Sequence, residues 1–346
     1  DRALSARQAG GPVMSLVELK LQAIEVAKEH LAGITLNNAT SHLISSVERS
    51  GAIPLTGPER ALLEAALADW RTPRTTIAEM QRLIDVSADP AMKGYGHIGL
   101  AKIYNDSTDG VDNPGLTDEC AAIIDEVRIA AGLGVEAMGP YLWKGECLRD
   151  QGRESDAFDA FASALRVGDV ATETLDNIRL AAHGAGTTLV ARAARAPDAQ
   201  LGVDEVSDVF NALSPIKEKV PGLIGAAETE DPLAAAYALL EYAANLRVQR
   251  GEGEVGKVYT AENIGFVFVL SERWAEGLAH AQAIDQVLPL AWNLTVLHIC
   301  AIEMAAADGV SNVDRQYFLS EAERARRTLA LMDHRRFGEQ ELKKLL

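Results

Sequence analysis

The stretch "GKVYTAENIGFVFVLSERWAEGLAHA", Gly256 to Ala281, decides between an all-helical chain and a mixed one. Its centre, "IGFVFVL" at 264–270, is built from β-branched and aromatic residues that favour strands. The flanks argue the other way. "TAEN" before it and "SERWAEGLAHA" after it read as helix, and no alternating apolar pattern bounded by hairpin turns extends from it. The expectation is therefore helix throughout.

Working outward, the N-terminal text has the same character. "SLVELKLQAIEVAKEHLAG" places Leu16, Leu19, Ala23, Ile24 and Ala27 on one face, with Ser15 and Glu18 as a capping box and Gly33 as a stop. A second helix is expected from about Asn38 to Arg49, and a third begins at Thr56 and Glu59 with Pro58 inside its first turn. Thr76 and Glu79 open a fourth that runs to about Val86, and Asp89 with Pro90 opens a fifth. The connections between them are turn-rich, such as "RTPRT", "NDSTDGVDNPG" and "RDQGRES".

The fifth helix contains "KGYGHIGLAKIY", whose Gly94, Gly96 and Gly99 match the G-x-G-x-x-G spacing of a dinucleotide loop. Such a loop follows a strand, whereas "DVSADPAMK" precedes this one and already starts a helix. The glycines therefore predict a close helix contact and no cofactor.

Composition agrees with closely packed helices. Of the 346 residues 48% are hydrophobic but only 5% aromatic, so the interior is made mainly of Ala, Leu, Ile and Val. The net charge of −17 repels nucleic acid and anionic membrane, and no apolar run is long enough to span a bilayer. Cys120, Cys147 and Cys300 are far apart and form no C-x-x-C pair, so they are expected to be buried free thiols. That usage points to the cytoplasm, with an exported protein that has lost a leader as the alternative. Residues 1–14 read as a flexible arm or tag remnant.

Helical hairpins in series invite a search for repeats. Val258 to Ala291 resembles a tetratricopeptide repeat, a unit of about 34 residues with the pattern W-x2-L-G-x2-Y, A-x3-F and a closing P. Ile264 and Gly265 stand at the L-G pair, Phe268 at the Tyr, Gly277 and Ala281 at A-x3-F, and Pro289 closes the unit. A second copy runs from Met138 to Val170, with Tyr141, Gly145, Leu148, Ala157, Phe161 and Ala164 in place, and Lys144 and Asp169 as departures. Gly145 precedes Ala157 by twelve residues, as Gly265 precedes Gly277. His97, Leu100, Ala101 and Tyr104 match a first helix whose partner is delayed by the acidic insertion, and the register is lost between Thr172 and Gly256.

The resemblance implies antiparallel hairpins stacked as an α-solenoid, with a repeat region at 15–171, an irregular helical middle at 172–256 and further hairpins at 257–346. In that family the first helices line a groove that holds a peptide or partner helix. Carried over by alignment, the partner-facing positions are Ile98, Lys102 and Asn105, then Leu142, Glu146 and Arg149, then Tyr259, Glu262, Phe266 and Val269. Phe266 and Val269 need covering, by a ligand or by the chain's own next helix.

Catalytic signals are sparse. The loop "NDSTDGVDNPG" gathers Asp106, Asp109 and Asp112 around Gly110, but an EF-hand phased on that glycine needs an acid where Leu116 stands. No H-E-x-x-H or G-x-S-x-G occurs, and Ser214 with Lys217 fits S-x-x-K only trivially. The expectation is a non-enzymatic scaffold or adaptor that binds another protein or peptide and is able to self-associate, with no cofactor or metal. An enzyme or small-molecule sensor with a pocket in the irregular middle is the second reading. A structural subunit of a larger assembly is the third.

Overall fold

The structure is a computed structural model that describes residues 14–34, 36–71, 76–108, 117–168, 174–196 and 200–332. The arm apart from Met14 and the acidic insertion from Asp109 to Leu116 lie outside the described residues. Among those described there are seventeen α-helices, one 3₁₀ turn and no strand. The chain gathers into two compact units, 1–153 and 154–346.

The first unit opens with α1 (Leu16–Leu31), α2 (Asn38–Arg49), α3 (Gly57–Arg71), α4 (Thr76–Val86) and α5 (Pro90–Thr108). Local chemistry sets their starts. The Ser15 amide donates to Glu18 Oε2 at 2.6 Å and the Glu18 amide to Ser15 Oγ at 3.2 Å, which closes the expected capping box. Thr56 and Glu59 form the same reciprocal pair, and Asp89 accepts from the Ala91 amide at 3.0 Å. The apolar stripes meet in one core that includes Leu31, Ile44, Leu62, Leu63, Met80 and Leu83.

Helix α5 runs unbroken through Gly94, Gly96 and Gly99, so the glycine-rich stretch is a packing surface. A Cβ at Gly96 would fall 2.6 Å from Ile84 Cγ1, and one at Gly99 would collide with the Met80 sulfur, both on α4. On the opposite side a Cβ at Gly94 would fall 2.5 Å from Val135 Cγ2. Only glycine lets α5 approach both neighbours this closely.

Val135 lies in the turn between α6 (Asp118–Gly132) and α7 (Met138–Asp150). Here the free-thiol expectation is corrected: Cys120 of α6 and Cys147 of α7 form a disulfide with Cα atoms 5.5 Å apart, and Cys300 alone stays free. The two cysteines lie equally far on either side of the Leu133–Gly134 turn, and antiparallel helices bring such positions face to face. The thiol argument for a cytoplasmic location goes with it.

The second unit contains α8 (Glu154–Val167), α9 (Leu175–Arg195), α10 (Val203–Leu213), the 3₁₀ turn Ser214–Ile216, α11 (Leu223–Thr229) and α12 (Pro232–Gln249). Gly184 of α9 faces the Phe161 ring of α8, and Gly186 faces Leu240 of α12, each leaving under 3 Å for a Cβ. Long α9 is thereby clasped on two sides. The short pieces between α9 and α12 are tied back by Lys219, whose Nζ donates to the carbonyls of Leu165, Arg166 and Gly168 at 3.1, 2.9 and 2.9 Å. The Leu165 and Arg166 carbonyls belong to the last turn of α8 and Gly168 follows it, so a cation caps that helix from more than fifty residues away.

The described part of the unit continues with α13 (Gly253–Ala261), α14 (Ile264–Leu270), α15 (Trp274–Val287), α16 (Ala291–Ala306) and α17 (Asn312–Leu331). The ambiguous "IGFVFVL" is helix α14. A Cβ at Gly277 of α15 would sit 3.1 Å from Phe268 Cβ of α14 and 2.7 Å from Cys300 Sγ of α16. One at Gly265 would sit 2.9 Å from Val296 Cγ1 of α16. These small residues set how closely the three helices approach, above a core of Leu278, Leu294, Val296, Leu297 and Ala325.

Candidate functional site

The partner-facing positions carried over by resemblance have different fates. Ile98 is fully buried against Ala130 and Val135, and Leu142 is 4% exposed. Both side chains are used for packing. Lys102 pairs with Asp106 at 3.1 Å on the same helix, Asn105 and Glu146 are half-buried, and the Arg149 side chain is 39% exposed. Phe266 meets the Trp292 ring edge-on at 5.6 Å, and both Phe266 and Val269 pack against the α15–α17 core. The chain's own next helices thus contact these two residues. Tyr259 falls in α13, but its side chain lies outside the described residues.

Glu262 is the distinctive member of the set. It occupies the two-residue interruption between α13 and α14, where the Glu262 amide bonds the Val258 carbonyl four residues back at 3.0 Å. The Gly265 amide instead reaches the Glu262 carbonyl only three back, at 3.2 Å. The helical ladder tightens locally, and polar groups from neighbouring helices collect around the step.

Asn263 Nδ2 donates to His183 Nε2 of α9 at 3.2 Å. His280 of α15 donates from Nε2 to the Ala261 carbonyl at 2.9 Å while its ring lies across Phe268. Buried Thr260 accepts from Arg247 Nε of α12 at 2.8 Å. Arg247 also pairs with Glu252 at 2.6 Å, and Glu252 with Arg250 at 2.9 Å. Arg250 in turn joins Arg179 on Asp176 in the first turn of α9. A continuous polar chain therefore runs from the start of α9 to Thr260, beside the α13–α14 step.

Burial changes the chemistry at the step. Withdrawal from water pushes the Glu262 carboxyl up to about 7, so it exchanges its proton near neutrality. Burial lowers the pKa of His280, with nearby Lys257 acting in the same direction and the bond to Ala261 opposing. A carboxyl that titrates near neutrality and an imidazole held neutral are suited to proton transfer and to recognising polar ligands. Among the described residues no three His, Cys, Asp or Glu side chains come together as a metal site, and no helix is long and apolar enough to cross a membrane.

Glu262 was visible in the sequence as a position, but the polar groups gathered around the step were not. His183, Arg247, Thr260, Asn263 and His280 come from α9, α12, α13, the step itself and α15, and share no motif spacing. No protein-family model, curated protein or solved structure matches this chain.

Proposed function

We propose that this chain is a protein-binding scaffold of tetratricopeptide-like helical hairpins, rigid enough that association orders mainly the partner. The observation behind this reading is the packing of α14, α15 and α16. Gly265 and Gly277 are close-contact positions there, in the register that the repeat resemblance assigns to small residues. Lys102, Asn105, Glu146 and Arg149 are the polar positions of the first unit at which a peptide would be engaged. Affinity capture with the intact chain and with a Lys102→Glu, Arg149→Glu variant tests the idea. A partner held by the first and lost by the second, with melting temperature unchanged, supports it. Equal retention by both, or a small-molecule screen that stabilises the chain while capture returns nothing, overturns it.

A second reading, a small-molecule sensor or enzyme, draws on the α13–α14 step, where Glu262 titrates near neutrality beside the His183–Asn263 pair. Ligand-induced stabilisation that is abolished by Glu262→Gln and His183→Ala favours this reading over the scaffold.

A further inference from the structure

The Cys120–Cys147 disulfide closes one particular end of a helix pair. Helices α6 and α7 are already held at their near end by the Leu133–Gly134 turn, where the Val135 amide bonds the Ala130 carbonyl at 3.0 Å and Gly134 adopts a φ of +82°. Cys120 sits in the first turn of α6, where its amide donates to the capping Thr117 Oγ1 at 3.2 Å, and Cys147 in the last turn of α7, so the covalent bond is at the far end of the pair. Cys120 is 1% exposed and Cys147 5% exposed. His97 of α5 meets Glu126 near the middle of α6 at 2.5 Å, and Gly94 packs on the turn.

The remaining cysteine behaves differently. Cys300 is fully buried in the second unit, and burial pushes its thiol up to about 12, which leaves almost no thiolate to attack a neighbouring disulfide. With one thiol silenced, the other two have a single intramolecular pairing.

We propose that Cys120–Cys147 is a covalent staple of the first unit, formed when the chain folds in an oxidising compartment, and that its reduction loosens the far ends of α6 and α7 while leaving the second unit intact. The chemistry balances with a disulfide oxidant of the glutathione or exchange-catalyst class. Two thiols lose two protons and two electrons as the Sγ–Sγ bond forms, and the oxidant's disulfide takes up both to become two thiols. Compartments rich in such oxidants retain structural disulfides, and the reducing cytosol does not.

The test begins in the native cells, where acid quenching freezes thiol–disulfide exchange and an alkylating reagent is then applied in neutral denaturant, so that buried free thiols react as well. One blocked cysteine per chain, Cys300, is the expected result, with two more appearing only after reduction. Three blocked cysteines without reduction overturn the proposal. Hydrogen exchange on purified chain then reads the conformational part. Reduction is expected to speed exchange at least about tenfold at the start of α6 and the end of α7, and to leave α15 and α16 unchanged. The melting temperature of the first unit is expected to fall by about 5–15 °C. Reduction that changes neither exchange nor melting overturns the staple. The Cys120→Ser, Cys147→Ser variant is expected to match the reduced wild type and to ignore reductant; if it fails to fold, wild type with and without reductant still decides.

Discussion

The two units share local helix caps but differ in the longer ties added to them. In the first, successive helices begin at side-chain caps written a few residues away, and a covalent bond closes one hairpin. In the second, Thr174, Asp231 and Ser311 cap helices in the same way, and a polar tie also reaches across more than fifty residues, from Lys219 to the end of α8. Local ties are cheap in chain entropy, whereas distant ones depend on the whole unit being folded. The contrast predicts that single substitutions act locally in the first unit and spread further in the second.

The largest effect expected is loss of the disulfide. Its 27-residue separation gives about 3.5 kcal/mol in the chain-entropy treatment, measurable by denaturant melts of the double serine variant against oxidised wild type. Next is Gly265→Leu, which drives a branched side chain into β-branched Val296 and is expected to destabilise the second unit by about 3 kcal/mol. Unchanged stability there would refute the helix contact that Gly265 makes. Lys219→Met keeps the aliphatic stem but leaves three carbonyls without their cation, at about 2 kcal/mol. Its signature is faster hydrogen exchange both at the end of α8 and around 214–229, two places far apart in sequence.

Glu262 supplies a change of opposite sign. Folded, it binds its proton more tightly than unfolded, so its contribution is most favourable below pH 4.5, declines as pH rises towards about 7 and is level above that. Glu262→Gln is therefore expected to be more stable than wild type at about pH 8, by on the order of 1–2 kcal/mol, with the two converging in acid. Parallel pH–stability curves for the two proteins would remove the buried-carboxyl interpretation. The smallest effect is Ser15→Ala, about 1 kcal/mol from the lost cap, confined to fraying of α1 and visible by exchange at its first turn.

Legibility followed the same division. Helices α1 to α5 were readable because their starts are local signals: Ser15 with Glu18, Thr56 with Glu59, and Asp89 before Pro90. The glycines of α5 were readable because no strand precedes them. The disulfide joins cysteines 27 residues apart, a spacing with no C-x-x-C signature. The informative signal was two cysteines equidistant from a turn between helices, which exists only once the hairpin is assumed. Between α9 and α12 the periodicity dissolves because one helix of eleven residues runs into a 3₁₀ turn and the next has only seven residues between two backbone reversals. Gly222 and Glu230 both adopt positive φ, and Glu230 does so without the usual glycine. The interruption at Glu262 and Asn263 was invisible because both residues keep nearly helical angles and only the hydrogen-bond spacing changes. The burial that alters Glu262 comes from tertiary packing, which no local pattern encodes.

Cys300 offers the second unit a built-in clock. Its sulfur lies beneath Gly277 at the contact of α15 with α16, so a thiol reagent reaches it only when those helices part. With the other two cysteines bonded to each other, the labelling rate of the oxidised protein counts openings of one buried seam. A bound partner or ligand that clamps this seam would slow the clock without touching the sulfur, which turns an inert thiol into a gauge of occupancy on the native chain.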